Sequence, residues 1–316
     1  MAVANITNAA LVTPSGFRLS AMISREINLL LTDTFNLRNS EYITYAGSVN
    51  GIGSNVISVR SYGLGGRDLF NDAANEDDDK SGTFADVEVE VSNITVARKY
   101  LIRKISDMAS MVGFGDRDLD PFVLAADMAN SYEAKFADMT ADAASSFTSF
   151  KGNSSDEMSV DVFFNGIFGL EQADSFYGAD PSYAAVLHPK ALTELQDSLR
   201  NETSNAVSMM QATEDMLQAK GKGFVGRLFG VDLYRSKYVN ESAGAYESFM
   251  MAKGALGYAD GIPMSLPNAV DFIQEGKVLV EMERTGMSAL TNVIGHCYLG
   301  IAIIRDSKGL LLKSTT

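Results

Sequence analysis

The sequence of 316 residues has very few residues of the types that build disulfide, thiol or imidazole sites. One cysteine, Cys297, excludes an intrachain disulfide framework and a zinc cage made of cysteines. Two histidines, His188 and His296, leave little for histidine-based metal chemistry. No apolar run approaches the roughly 18 residues of a membrane span, and the N-terminus lacks the basic start of a secretory signal. We therefore expect no cofactor, no catalytic metal and no membrane partner.

Basic residues are also in short supply, with 26 against 40 acidic ones and a formal net charge of −14. Surfaces that hold nucleic acids by their phosphates are basic, so this balance disfavours a nucleic-acid-binding protein. It also disfavours docking on an anionic membrane. Apolar residues make up 46% of the chain, which allows a sizeable core, and the length suits about two domains.

The negative charge is concentrated in two segments. Residues 66–90 hold nine acids and two bases, and residues 107–142 hold eight acids and two bases. Between them lies the sequence RKYLIRK at 98–104, with four bases in seven residues. Such asymmetry suggests surfaces that meet other surfaces.

Helical periodicity occurs twice in the first half of the chain. Residues 1–17 are polar and small, as in an arm, and a short amphipathic helix follows from about Arg18 to Leu31. Asp120 and Pro121 form a strong helix start, an N-cap acid followed by proline. They predict a long helix to about Ser146 with one apolar stripe, so this helix should lie on a sheet or an extended scaffold.

Two strands separated by a polar segment predict a long hairpin. Asn55–Tyr62 and Val87–Ala97 are rich in β-branched residues, and residues 63–86 between them are rich in glycine and acids. The apolar alternation changes phase near Ser92–Asn93, which indicates a β-bulge. Because a two-stranded hairpin is marginal alone in water, this one should lean on another part of the protein.

The second half of the chain follows a linker at Gly152–Asp156 and has an α/β pattern. The predicted elements are helices at Met158–Phe168, Lys190–Leu199 and, more weakly, Ala206–Ala219; a buried strand at Tyr183–Leu187; a turn into a strand at Gly226–Ser236; a strand or tight strand pair at Ser248–Tyr258; strands at Lys277–Arg284 and Cys297–Arg305; and a closing strand at Gly309–Lys313.

One stretch fits the spacing of a calcium-binding loop. Asp77, Asp79, Ser81, Gly82 and Glu88 match positions 1, 3, 5, 6 and 12 of the D-x-D-x-S-G-x5-E pattern. A true loop of this kind needs a helix on each side, whereas Glu88 belongs to an alternating strand. We therefore favour a solvated acidic hairpin tip and keep calcium as the alternative.

Other catalytic patterns fail on structural context. Gly221, Gly223 and Gly226 match GxGxxG, but the match follows a predicted helix and leads into a strand, the reverse of a dinucleotide site. His296 and Cys297 are adjacent on a predicted strand, so they point to opposite faces and do not pair. We interpret Cys297 as inert core and His188 as a turn residue, and we expect no enzymatic activity.

The order of parts resembles the major capsid proteins of tailed double-stranded DNA bacteriophages, which share the Hong Kong 97 fold. That order is arm, short helix, projecting hairpin, long helix, compact α/β domain and return strands. The stretches most similar to the family are AVLHPKAL (185–192), GRLFGVDLYRS (226–236), SFMMAKGALGYADG (248–261), KVLVEMERTG (277–286) and YLGIAII (298–304).

The resemblance implies an α+β chain in five parts. These are an N-terminal arm with a short helix at 1–50, an extended β-hairpin loop at 51–105, a peripheral domain with a spine helix at 106–157, an axial α/β domain at 158–275, and return strands of both domains at 276–316.

It also implies a structural, self-assembling protein. Pentamers and hexamers would form an icosahedral head, built in the host cytoplasm and ending in the virion, that encloses DNA without binding it sequence-specifically. Further implied partners are a separate scaffolding protein, a portal and a decoration or cement protein. Two alternatives stay open: the shell subunit of an encapsulin-like compartment, and a soluble α/β enzyme without a recognisable motif.

Within this family picture the charged segments become candidate contacts between subunits. We hypothesise that the acidic tip of one hairpin docks on a basic strip of another subunit. The candidate residues are Glu76, Asp77, Asp78, Asp79 and Lys80 of the tip and Arg98, Lys99, Arg103 and Lys104 of the strip. Some family members form a Lys–Asn cross-link, for which Lys80 with Asn268 or Asn292 would be the pair; a solvated Lys80 is our default.

Overall fold

The structure is a computed structural model that describes residues 42–62, 89–106, 121–173, 183–201, 210–211, 223–261, 278–285 and 290–316. The predicted arm, the helix at 18–31 and the hairpin tip lie outside the described residues. Within them the strands, numbered in chain order, are β1 (Ile43–Ser48), β2 (Val56–Tyr62), β3 (Val89–Thr95), β4 (Ala97–Ser106), β5 (Phe150–Lys151), β6 (Tyr183–Leu187), β7 (Met210–Gln211), β8 (Phe224–Leu228), β9 (Val231–Arg235), β10 (Glu241–Ser242), β11 (Ala245–Ala252), β12 (Leu256–Gly261), β13 (Val278–Thr285), β14 (Leu290–Ile303) and β15 (Gly309–Thr315). The helices are α1 (Pro121–Ala144), α2 (Val160–Gln172) and α3 (Pro189–Asn201).

A five-stranded sheet is organised around the long strand β14. Strand β4 pairs antiparallel along one edge of β14. The other edge of β14 is shared end to end by β13, opposite its first half, and β12, opposite its second half. Strand β1 adds parallel to β12. Both edges of β14 are therefore hydrogen-bonded from Leu290 to Leu299, and β12 continues along one edge to Ile303, which fixes the direction of the side chains of β14.

The second sheet has eight strands in the order β5-β15-β11-β6-β9-β8-β7, with β10 beside β11. Helices α2 and α3 pack on one face, where Phe163 and Leu195 lie among residues such as Leu187 and Leu312. The hydroxyl of Ser159 accepts a hydrogen bond from the Val162 amide and begins α2. Strand β6 is covered on both faces, and all five of its residues are buried.

Helix α1 supplies core residues to both sheets. Its first half places Met128 against Val280 and Val293 of the five-stranded sheet. Its second half places Phe136 in the cluster that contains Val186 of the eight-stranded sheet. The helix begins at the predicted Pro121, and its 24 residues span about 36 Å. One apolar stripe along a long helix thus contributes to two cores, as its length and patterning allow.

The predicted β-bulge near Ser92–Asn93 is wrong. Strands β2 and β3 pair from Val56–Thr95 to Tyr62–Val89 without a shift in register. The apolar phase changes for another reason: Ile94 is fully buried, whereas Val91, on the opposite side of the strand, is 52% exposed. The phase change marks the point at which the hairpin leaves the core.

Two other predictions are corrected by tertiary pairing. Met210–Gln211, inside the predicted helix at 206–219, forms the short strand β7 against β8. The stretch 248–258 forms two strands, but β11 and β12 belong to different sheets and do not pair with each other. The turn between them passes through Gly254 at φ +83°, a conformation that favours glycine.

Candidate functional site

The base of the hairpin β2–β3 packs on the five-stranded sheet, on the face opposite helix α1. Over its described residues, 56–62 and 89–95, this hairpin is a separate two-stranded sheet and shares no strand pairing with the other two. Ile94 and Val96 are its buried anchors, with Ala259 of β12 beneath them. Half-buried residues around these anchors complete the contact: Ala46, Val49, Ile57, Val59, Tyr298 and Ala302. The predicted support for the hairpin is therefore confirmed at its base.

Close backbone approach holds the hairpin to the sheet at Gly300. A Cβ at this position would lie 2.3 Å from the Thr95 carbonyl oxygen and 3.1 Å from the Val96 Cα. The Ser92 hydroxyl also donates to the Ile304 carbonyl at 2.9 Å. At Gly300 the hairpin backbone occupies the space that a side chain would need, so glycine there is a requirement of packing.

The predicted basic strip is divided between the two faces of β4. Strand alternation places Arg98, Tyr100, Ile102 and Lys104 on the face away from α1, where Tyr100 is 64% exposed. Lys99, Leu101 and Arg103 lie on the face toward α1, where Leu101 packs against the core of that helix. The four bases therefore form two pairs on opposite sides of the sheet, which corrects the picture of a single strip.

Arg103 is neutralised within the chain. Its guanidinium forms a two-pronged ion pair with Asp127 of α1, with Nε 2.5 Å from Oδ2 and Nη2 2.8 Å from Oδ1. The hydrogen bond and charge of Asp127 raise the pKa of Arg103. Asp127 belongs to the second acidic segment, so part of the charge asymmetry is neutralised within the chain.

Arg98 contacts the buried imidazole of His296 across the pair β4–β14. Arg98 Nε and Nη2 lie 3.3 and 3.1 Å from Nδ1 of His296. Nε2 of the same ring lies 3.1 Å from Oε2 of Glu281 on β13. The Arg98 guanidinium also lies 5.6 Å from the centre of the Tyr100 ring. This chain of three polar groups crosses three neighbouring strands on the face that supports the hairpin.

The prediction that His296 and Cys297 do not form a nucleophile and base is confirmed. His296 lies on the hairpin side of β14, and Cys297 packs with the α1 core near Met128. Burial raises the pKa of the Cys297 thiol to about 11, although nearby Lys99 opposes this shift. The thiol is protonated at neutral pH and therefore a poor nucleophile.

His188 is a turn residue, as predicted. It lies between β6 and α3, accepts a hydrogen bond from the Lys190 amide at Nδ1, and stacks on Tyr246 at 3.7 Å. Burial lowers the pKa of His188. The glycine pattern ends at Gly226 inside β8, which confirms that it leads into a strand.

Several predicted site residues lie outside the described part of the chain and stay predictions. They are the calcium candidates Asp77, Asp79, Ser81, Gly82 and Glu88, and the tip residues Glu76, Asp78 and Lys80. In the described ranges, no three His, Cys, Asp or Glu residues converge to hold a metal. No helix among those ranges is long and apolar enough to cross a membrane.

Sequence reasoning missed the two features that define this face. The requirement for glycine at Gly300 depends on the position of the hairpin, 205 positions away at Thr95, so no local pattern marks it. The contact between Arg98 and His296 depends on the β4–β14 register. The alternation in RKYLIRK was a usable signal for dividing the basic residues between two faces.

The chain matches several solved structures at low sequence identity. One is the capsid of Ralstonia phage GP4, with a TM-score of 0.58 and 14% identity over 90% of each chain. Another is the capsid of cyanophage P-SCSP1u, with a TM-score of 0.53 and 13% identity over 90% of this chain and 89% of that chain. A third is the holo-SrpI encapsulin complex of Synechococcus elongatus PCC 7942, with a TM-score of 0.51 and 11% identity over 72% of this chain and 77% of that chain.

These matches define the class of fold: the chain is a mixed α/β protein with the fold of phage capsid structures. The likeness extends over most of the chain and most of each phage capsid chain. The sequence itself matches no protein-family model and no curated protein.

Replacement of Gly300 by alanine tests the close approach of the hairpin. We expect Gly300→Ala to lower the free energy of unfolding by about 1–3 kcal/mol, because the new methyl group displaces backbone. Gly295→Ala on the same strand is the control. A Cβ at Gly295 would lie 3.3 Å from the sulfur of Met128, a flexible side chain that can move aside. Urea unfolding of the purified protein measures the loss of stability in both variants. Equal losses would contradict a special role for Gly300.

The raised thiol pKa of Cys297 predicts slow alkylation of the folded protein. With a pKa of about 11, iodoacetamide should react with Cys297 more slowly than with an ordinary cysteine. The smaller thiolate fraction, partly offset by higher nucleophilicity, implies a rate about 20-fold lower at neutral pH. The control is the same protein in denaturant, analysed by mass spectrometry. A rate equal to that of the unfolded chain would refute a buried, protonated thiol.

Proposed function

We propose that the chain is the major capsid protein of a tailed double-stranded DNA bacteriophage with a Hong Kong 97-type fold. The observation that carries the proposal is the likeness to phage capsids over about nine-tenths of both chains. The protein would form pentamers and hexamers of an icosahedral shell. It would have a structural role in the virion and no catalytic one.

The proposed parts follow the chain in order. Residues 1–50 are the arm and short helix, 51–105 the extended loop, 106–157 the peripheral domain with α1 as its spine, 158–275 the axial domain, and 276–316 the return strands. The position of α1 against β13 and β14 supports a peripheral unit that combines the spine helix with the return strands. The packing of α2 and α3 on the eight-stranded sheet supports the axial unit.

The hairpin supports an assembly role on physical grounds. Its base is anchored by Ile94, whereas Val91, three residues farther toward the tip, is half exposed. A two-stranded hairpin gains little stability alone, so one that leaves its own core becomes stable by packing on a neighbour. Repeated contacts of this kind among identical subunits build a closed shell.

The charge balance suits a container for DNA. A net charge of −14 repels phosphate, so packaged DNA would be enclosed without tight or sequence-specific binding. Assembly would take place in the host cytoplasm with a separate scaffolding protein and a portal. A decoration or cement protein would be an additional partner of the mature shell.

An encapsulin-like compartment is the second candidate function. It is favoured by the match to the holo-SrpI encapsulin complex, which covers about three quarters of both chains. The greater coverage of the phage capsids places this candidate second. A gene for a terminase or a portal beside the gene for this chain would support the phage proposal, and a cargo-enzyme gene there would support the encapsulin.

Electron microscopy of the purified full-length protein tests shell formation. We expect closed shells or rings of five and six subunits in negative stain, alone or after co-expression with the adjacent genes, because the fold is that of capsid subunits. Mass photometry gives the matching masses. A protein that remains monomeric at high concentration under both conditions contradicts both shell proposals.

A second prediction concerns docking of the acidic tip on the basic residues of β4. Arg103 already binds Asp127, so we test Lys104, which lies on the face of β4 away from α1, as the partner of the acidic tip. Lys104→Glu should lower the temperature at which shells dissociate, and high salt should do the same through screening. Thermal dissociation followed by light scattering measures both effects.

The control for this test is Lys253→Glu, which changes an exposed lysine in the turn between β11 and β12. If Lys104→Glu shells match the control and resist high salt, docking of the tip on this face is wrong. Dissociation caused by a calcium chelator would instead support the calcium alternative at Asp77 and Asp79.

A further inference from the structure

The two nitrogens of the His296 ring have partners of opposite kind. A guanidinium only donates hydrogen bonds, so Nδ1, at 3.1 Å from Arg98 Nη2, must accept and carries no proton. Nε2 therefore carries the proton of the neutral ring and donates to Glu281 at 3.1 Å. His296 is only 3% exposed, so its ring has little contact with water. This contact exists only while Nδ1 has a lone pair.

The charged groups around His296 come from each neighbouring element. Strand β4 contributes Arg98 and the Tyr100 ring, 6.5 Å from the imidazole between ring centres. Strand β13 contributes Glu281, the anionic partner. On the α1 side, Lys99 and Lys135 line the cleft of about 240 Å³ that also borders β14 at this point.

We propose that His296 is a proton-operated latch on Arg98. A proton taken from solvent at Nδ1 uses the lone pair that accepts from Arg98 and leaves two cations in contact. The imidazolium keeps Glu281 as its partner, and the exposed Arg98 side chain swings into solvent. No bond other than the N–H bond is formed, and loss of the proton restores the latch.

The position of Arg98 gives the latch a structural consequence. Arg98 is the second residue of β4 and lies two positions after Val96, where the chain leaves the hairpin. Its release loosens the start of β4 and presents a guanidinium beside Tyr100 on the open face. The latch acts within one chain and does not rest on the proposed shell function.

The composition of the chain makes the latch testable. Its only histidines are His188 and His296, so only two imidazole signals have to be distinguished in a pH series. His188 stacks on Tyr246 and serves as an internal control, because it has no arginine partner among its described hydrogen bonds.

Solid-state NMR of the full-length protein with 15N-labelled histidine and arginine is the direct test, on subunits or assemblies alike. Comparison with the His188→Gln variant assigns the NMR signals of the two imidazole rings. At neutral pH we expect the Nε2–H tautomer for His296, and on acidification an Arg98 Nε shift that follows protonation of Nδ1. An Nδ1–H tautomer at neutral pH overturns the proposal, and so does an Arg98 signal that does not change as the pH is lowered.

Hydrogen exchange of residues 89–106, corrected for the intrinsic effect of pH, gives an independent readout. We expect exchange at the start of β4 to rise about threefold or more as His296 is protonated. His296→Gln keeps an acceptor and a donor but does not titrate, so its exchange should not change, whereas His188→Gln should behave like the wild type.

If His296→Gln fails to fold, Arg98→Gln provides a second test of the proposal. Arg98 is exposed, so its replacement spares the core. The variant should exchange faster at the start of β4 at all pH values while His296 still titrates. A pH response that persists in His296→Gln or in Arg98→Gln overturns the proposal.

Discussion

Pairing of both edges of β14 is the constraint on which the rest of this structure depends. Because β4 lies on one edge and β12 and β13 share the other, none of its side chains can change face without breaking the register. Gly300 and His296 are thereby directed toward the hairpin side, and Cys297 toward α1. Strand β14 therefore positions the hairpin, the polar contact with Arg98 and the surface on which α1 packs.

The electrostatics follow from the same alternation. Four bases adjacent in sequence are divided by the pleat into a pair that faces α1 and a pair on the open face. Arg103 is paired with Asp127, and Arg98 contacts His296. Lys104 remains exposed on the face of β4 away from α1. Net charge alone does not distinguish these roles.

The likeness to phage capsids at 13–14% identity fits a fold specified mainly by patterning. A one-sided long helix, a covered mixed sheet and a hairpin anchored at its base can be built from many apolar sequences of suitable volume. What such a fold does depends on which surfaces remain open, and in this chain the outer part of the hairpin and one face of β4 are such surfaces.

The sequence by itself determined α1 from its proline start and stripe, β6 from its apolar run, β13 and the second half of β14 from their composition, and the order of parts that resembles a capsid protein. These features are local, since hydrophobic period and capping are set by neighbours along the chain. Tertiary structure alone decided that β11 and β12 enter different sheets, that Gly300 has no room for a side chain, and that Arg98 meets His296. Each of these depends on contacts between segments far apart in sequence, whose register no local pattern specifies.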